Sequence, residues 1–374
     1  MIEETLKLRE STCLATQTRN QLGYVPELDG VRGIAILFVL GNHVPLGRLE
    51  SLLPGGFAGV DIFFVLSGFL ITTLLVQEFD RTGSISLRNF YMRRALRLGP
   101  ALIALLIVLC LLSFVLYDQA RARGNCRDAL IALFYASNWV RVFTHNQLGL
   151  LAHTWSLSCE EQFYIVWPII LLTLLRISRK RHYVALVAAA VALLSWLASI
   201  RLAMSGASER RLCFGLDGRA DTLMIGCILS VVLSSGLMTE NAKKTIQKPL
   251  AVIAPLSMAS LLAFSIFGNK LGRSFFYFGF VIIALLAAAL ILDVLASPRS
   301  IIRRLLVMKW LVWIGSVSYG LYLWHWPIFW GMHGFGFKGW TVVLVGTPLT
   351  FLVVLLSYYG MEKPILEWKR RFTR

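Results

Sequence analysis

An arginine and a histidine share one apolar stretch near the start of the chain: Arg32 and His43, within Leu28-Asp29-Gly30-Val31-Arg32-Gly33 and onward to Leu40-Gly41-Asn42-His43. A cation or an imidazole placed in hydrocarbon is costly enough to require a purpose. On a helix, eleven steps of 100° bring the two side chains to within about 20° of one another, about 16 Å apart along the axis. One face of one helix then offers an anion-binding group and, three turns away, a titratable base.

Four further segments carry groups of the same kind. Phe90 to Pro100 contains Arg93, Arg94 and Arg97. Arg94 and Arg97 are i,i+3 neighbours, so their guanidinium groups can grip phosphate by charge-assisted hydrogen bonds, or can simply anchor the helix end at the inner surface. His153-Thr154-Trp155 leads into Glu160 and Glu161. The paired carboxylates would orient or charge a histidine, recognise a hydroxyl beside an aromatic sugar platform, or stabilise a helix N-terminus through its dipole. Asp61 lies in the glycine-rich stretch Gly55 to Gly68, whose small residues permit close helix contact. Ser316 to Pro327 holds Tyr319, Tyr322 and a second intramembrane histidine, His325, and Tyr322 and His325 can line one cavity. Arg219 and Asp221 are expected to pair with each other, and Glu362-Lys363-Pro364 to close a helix without chemistry. The six cysteines show no metal spacing and no close pairing, which predicts neither a zinc site nor a disulfide framework.

The elements that must position these groups are membrane helices. Hydrophobic residues make up 57% of the 374 and charged ones 15%, the balance of a polytopic membrane protein and not of a soluble domain with one core. Apolar windows fall near 28–46, 56–76, 98–117, 155–176, 183–203, 216–237, 248–267, 273–296, 309–331 and 338–360, predicting an all-α transmembrane bundle of about ten spans. The net charge of +17 collects in short clusters, Arg88 to Arg97, Arg176 to Arg181, Lys243 to Lys248, Arg299 to Lys309 and Lys369 to Arg371, which ten spans place on one face. That face is then cytoplasmic, both termini are inside, and the charge marks topology and not a nucleic-acid partner.

An eleventh candidate, Asp128 to Val142, is short and ends in Asn138, Trp139 and Arg141, and its spanning would put Arg176 to Arg181 outside. It reads as re-entrant or interfacial, buried in protein. The chain divides into a polar cytoplasmic segment 1–22 with no signal-peptide core, a membrane domain 23–364 and a basic cytoplasmic tail 365–374.

Taken in chain order, these segments resemble the acyltransferase-3 family of integral-membrane O-acyltransferases, from Leu28 to Pro364. The Arg32-to-His43 helix, the Gly56-to-Gly68 span, Arg94-Ala95-Leu96-Arg97, the His153-to-Tyr164 block, the Tyr319-to-His325 block and Glu362-Lys363-Pro364 carry the likeness, and the ordered set is specific where each piece alone is weak. The resemblance implies that an acyl group, usually acetyl, is drawn from cytoplasmic acyl-CoA and passed to a hydroxyl of a carbohydrate acceptor, in a bacterial cytoplasmic membrane. It maps the family's essential arginine and histidine onto Arg32 and His43, and its Arg-x-x-Arg element onto Arg94 and Arg97.

Catalysis is accordingly assigned to His43, Arg32, Glu160 and Glu161, and acyl-CoA binding to Arg93, Arg94 and Arg97. Acceptor contact or support falls to Asp61, His153, Trp155, Tyr319, Tyr322 and His325, with acetyl-CoA as co-substrate and no metal or bound cofactor. His43 either takes the acceptor's proton as general base or is itself acylated as a relay; the residues leave both routes open. Some members carry an extra hydrolase-like extracytoplasmic domain. The short tail after the last span suggests none here, which calls for a separate extracytoplasmic transferase partner or a direct hand-off. Buried charges on many helices also describe a proton-coupled secondary transporter of a small or glycan-related solute, although no repeat between the halves and no matched pair of broken helices is visible. A non-catalytic scaffold is the third class.

Overall fold

A computed structural model of the chain describes residues 23–44, 51–234, 240–268 and 272–368. All regular structure among them is helical. Helix α1 (Pro26–His43) opens with proline in its first turn, where no N–H is needed, and sets Glu27 and Asp29 against the positive end of its dipole. Helix α2 (Ala58–Thr82) stops at Gly83, whose φ of 73° is the left-handed cap a side chain would resist and whose N–H returns to Phe79. Ser86 caps α3 (Leu87–Leu116) by accepting the N–H of Asn89.

Then come α4 (Gln119–Leu133) and α5 (Ser137–Phe143), separated by Tyr135 at a φ of 52°. A 3-10 turn, Gly149–Thr154, runs straight into α6 (Trp155–Ile177). The chain continues through α7 (His182–Met204), the short α8 (Glu209–Phe214), α9 (Ala220–Ser234), α10 (Glu240–Phe267) and α11 (Phe275–Ala296). It ends with α12 (Ile301–Leu306), α13 (Lys309–Ser316), α14 (Ser318–Gly334), α15 (Thr347–Ser357) between two π turns, and α16 (Lys363–Trp368).

Among the described residues, seven helical stretches are long and apolar enough to cross a membrane: 58–82, 87–116, 149–177, 182–204, 244–267, 275–296 and 342–365. The other three windows are also helical but differ in kind. Helix α1 carries Glu27, Asp29 and Arg32 in its first two turns, and α9 has 15 residues. The window 309–331 is not one helix: it breaks at Val317 into α13, which lies along the first half of α1, and α14, which rises to His43. Arg88 to Arg97, expected as a connector, is wound into the first turns of α3. The segment 128–142 forms the end of α4 and the start of α5, a bent pair too short to span. Cys13 and the tail beyond 368 lie outside the described residues.

Helix α2 is the axis of the bundle: 78% of its most apolar stretch is buried in protein, against 22% for α7, which faces outward. Glycine makes the central seams possible. A Cβ at Gly59 would sit 2.2 Å from the carbonyl oxygen of Ala35 on α1, and one at Gly68 would sit 1.9 Å from that of Leu223 on α9. Backbone therefore meets backbone along both sides of α2, the small-residue contact expected where hydrocarbon supplies no hydrophobic drive between helices. Leu111, Leu194, Leu256 and Leu344 point outward and exposed, as lipid-facing positions do.

Candidate active site

A cavity of about 460 Å³ opens beside the N-terminal end of α1, where it is bordered by the exposed Tyr24. Five helices supply its polar wall: Asp29 and Arg32 from α1, Ser67 from α2, Arg94 and Arg97 from α3, Glu160, Glu161 and Tyr164 from α6, and Tyr319 and Tyr322 from α14, with Glu362 from the π turn after α15. Arg32 Nη1 is held by Asp29 at 2.8 Å, its i,i+3 neighbour. The Arg94 guanidinium lies over the ring of Tyr164 at 3.7 Å, and its Nε is buried with no protein partner, as is Oε1 of Glu161. Arg97 has no carboxylate within ion-pair distance among the described residues. Glu160 accepts the Tyr164 hydroxyl at 2.5 Å and the Ser67 hydroxyl at 2.7 Å.

At the far end from Tyr24 the cavity stops at Tyr322 and Ser156, and three histidines gather behind them. Tyr322 donates its hydroxyl hydrogen to the carbonyl of His153 at 2.7 Å, so Ser156 is the donor in the 2.5 Å contact between the two hydroxyls. The other side of the Tyr322 ring faces His153 and His325, with ring centroids 5.5 and 5.7 Å away. Tyr322 is thus the partition between the cavity and the histidines.

The histidines order one another's protons. His325 Nδ1 lies 2.9 Å from the carbonyl of Leu321, one turn earlier on α14, and a carbonyl can only accept. In the neutral ring Nδ1 therefore carries the hydrogen and Nε2 the lone pair. That Nε2 lies 2.9 Å from Nδ1 of His43, which must donate to it. The lone pair of His43 is left on Nε2, on a half-buried ring with Trp326 edge-on at 4.6 Å. His153, 2% exposed, has no hydrogen-bond partner on either ring nitrogen.

The structure separates the residues expected to act together. Arg32, Arg94, Arg97, Glu160, Glu161, Tyr319 and Tyr322 line the cavity; His43, His153 and His325 form the group beyond it. Four expectations are corrected. Arg93 turns from the cavity to Glu78 of α2 at 3.0 Å, because that carboxylate lies on its side of α3. Asp61 forms a fully buried ion pair with Arg219, whose guanidinium also lies 3.4 Å over Phe280, so Arg219 does not pair with Asp221 and Asp61 does not face the cavity. Trp155 packs on Phe64 and Phe214, filling space between helices. Glu160 keeps one of the roles left open for it: it accepts hydroxyls and lines the cavity, and it reaches no histidine.

Sequence reasoning missed Ser67, Ser156, Tyr164 and Arg141. Only Tyr164 had a signal, its i,i+4 spacing from Glu160. Among the described residues no cluster fit to hold a metal ion occurs, and the five described cysteines are free thiols.

The fold and the site together define a helical membrane bundle with an arginine-lined cavity that ends beside hydrogen-bonded histidines. A family model described as an acyltransferase domain, acyltransferase 3, matches residues 25–361, and the chain belongs to this family. It is 34% identical over 352 residues to the O-acetyltransferase OatA of Staphylococcus aureus strain NCTC 8325, covering 91% of this chain and 57% of that protein. With the peptidoglycan O-acetyltransferase OatA of Listeria monocytogenes serovar 1/2a it is 33% identical over 321 residues, 83% of this chain and 50% of the relative. The chain thus spans between half and three-fifths of the length of the curated relatives it matches. No solved structure matches it.

Proposed function

We propose that this protein moves an acetyl group from acetyl-CoA to a hydroxyl of a cell-surface or secreted carbohydrate. The observation that carries the reading is the chain from Leu321 carbonyl through His325 to His43, which leaves an unprotonated, accessible Nε2 beyond the end of an arginine-lined cavity. The cavity takes the pantetheine arm of the donor, Arg32, Arg94 and Arg97 bind its phosphates, and Tyr322 swings aside to let the thioester reach His43. His43 Nε2 removes the acceptor's proton as its oxygen attacks the acyl carbon. The new ester C–O bond forms, the C–S bond breaks, and the CoA thiolate leaves and is reprotonated. As His43 becomes cationic, His325, its Nδ1 fixed on Leu321, accepts the hydrogen bond that steadies the charge.

The basic connectors share the cavity's end of the bundle, which supports a cytoplasmic donor site, termini inside, and an acceptor side at the outer surface of a bacterial cytoplasmic membrane. The relatives' names support the acetyl group and a glycan acceptor. Direct hand-off at His43 makes a separate transferase partner dispensable.

The test is release of free CoA from acetyl-CoA by the purified chain in nanodiscs, with a panel of glycan acceptors. Acceptor-stimulated release that vanishes in His43→Ala is expected. Folded protein that releases no CoA with any acceptor, yet takes up solute against a proton gradient, would establish the transporter reading in its place.

A further inference from the structure

Arg141 sits on α5 beside the histidine group, in the segment that bends back between α4 and α6. Its Nη1 donates to the carbonyl of Ala152 at 2.8 Å, the residue before His153, and its guanidinium carbon lies over the ring of Phe214, 3.9 Å from the centroid. These two contacts hold the group in place. They also leave a particular edge unused. Nε is buried with no partner, and Nη2 makes no hydrogen bond among the described residues.

The Nε–Nη2 edge presents two parallel N–H donors, the fork that matches a carboxylate bidentately. Nor is the charge balanced from within the protein, because no carboxylate among the described residues lies within ion-pair distance of it. The neighbouring Arg211 is already matched by the carboxylate of Asp217 at 2.6 Å. A partly desolvated cation without a counter-charge is unfavourable unless a ligand supplies one.

We infer that the acceptor is an acidic carbohydrate, and that Arg141 binds a carboxylate on it so as to set the hydroxyl to be acylated against His43. The inference rests on the acyl-transfer reading for the reaction, but its recognition step is separable from it. Arg141 is a specificity residue: it selects the anionic acceptor and places it, and takes no part in moving protons.

The experiment compares carboxylate-bearing oligosaccharides with their carboxyl-reduced, neutral counterparts, using the full chain in nanodiscs and acetyl-CoA as donor. The measured quantity is the ratio of kcat/KM for the acidic acceptor to that for the neutral one, which is insensitive to the fraction of protein that folds. A charge-assisted bidentate contact predicts a ratio of about tenfold to a hundredfold for the parent chain. Arg141→Gln should bring the ratio to about one, with Arg141→Lys between the two. An equal rate on both acceptors in the parent, or the same ratio in the parent and Arg141→Gln, overturns the proposal. Direct binding of the acidic oligosaccharide is measured alongside. Binding that weakens in Arg141→Gln while no acetyl is ever transferred sinks the acyl-transfer reading and upholds the carboxylate site. Absence of binding and of transfer in the parent overturns the carboxylate site as well.

Discussion

His43 owes its tautomer to a residue 282 positions away, His325, and His325 owes its own to the carbonyl of Leu321. Removing the second histidine should therefore leave donor binding intact and slow turnover. His325→Ala is expected to lower kcat by about a hundredfold to ten-thousandfold, within the range of general-base losses, with KM for acetyl-CoA changed less than about twofold. Steady-state kinetics in both substrates checks this.

The three arginines of α3 divide in the same way. Arg94→Ala and Arg97→Ala should each raise KM for acetyl-CoA about tenfold or more, the worth of a lost charge-assisted bond, whereas Arg93→Ala should leave it unchanged. A rise with Arg93→Ala equal to the other two would refute the placement of Arg93 on Glu78.

At this scale the sequence showed which residues are expensive to bury, and so exposed Arg32, His43 and His325 as a set. It did not show their partners. On an ideal helix Arg93 lies only about 40° from Arg97, so periodicity does not exclude it from the cavity; Glu78 on another helix does. Asp61 and Arg219 meet across 158 positions, a pairing that no local spacing encodes.

Among the elements, α2 carries the geometry of the site because Ser67 projects from it while its glycines let α1 and α9 close on it. Gly68→Leu should force α9 away, since even a Cβ there would overlap the Leu223 carbonyl. The expected outcome is loss of monodisperse protein in detergent and of acyl transfer together, while Gly331→Leu, where open space surrounds the Cβ position, should be tolerated. Size-exclusion profiles of the two variants distinguish them.

The helical windows were legible because some twenty apolar residues in a row have few other uses. The break at Val317 was not, because the residues on both sides are apolar and the change of direction is dictated by contact with α1, where Gly315 lies against the backbone of Asp29. The same limit hid the first turns of α3. Arginines read as a polar connector are helical because Ser86 caps them and because two of them line a protein cavity.

Over the whole molecule, a cavity reached past Tyr24 stops at Tyr322, Ser156 and the His153 carbonyl, which close it off from the group that holds His43. That closure matters to the cell's energy supply as well as to its chemistry. A continuous wet passage would let protons run down the membrane potential, which stores about 2.3 kcal/mol per charge for each 100 mV. The two hydroxyls plug it with their hydrogen bonds turned on each other and on backbone. In sealed vesicles with an imposed pH gradient, the parent chain should hold the gradient as protein-free vesicles do, and Tyr322→Gly should discharge it. The tyrosine is then an insulator between the cavity and the histidines.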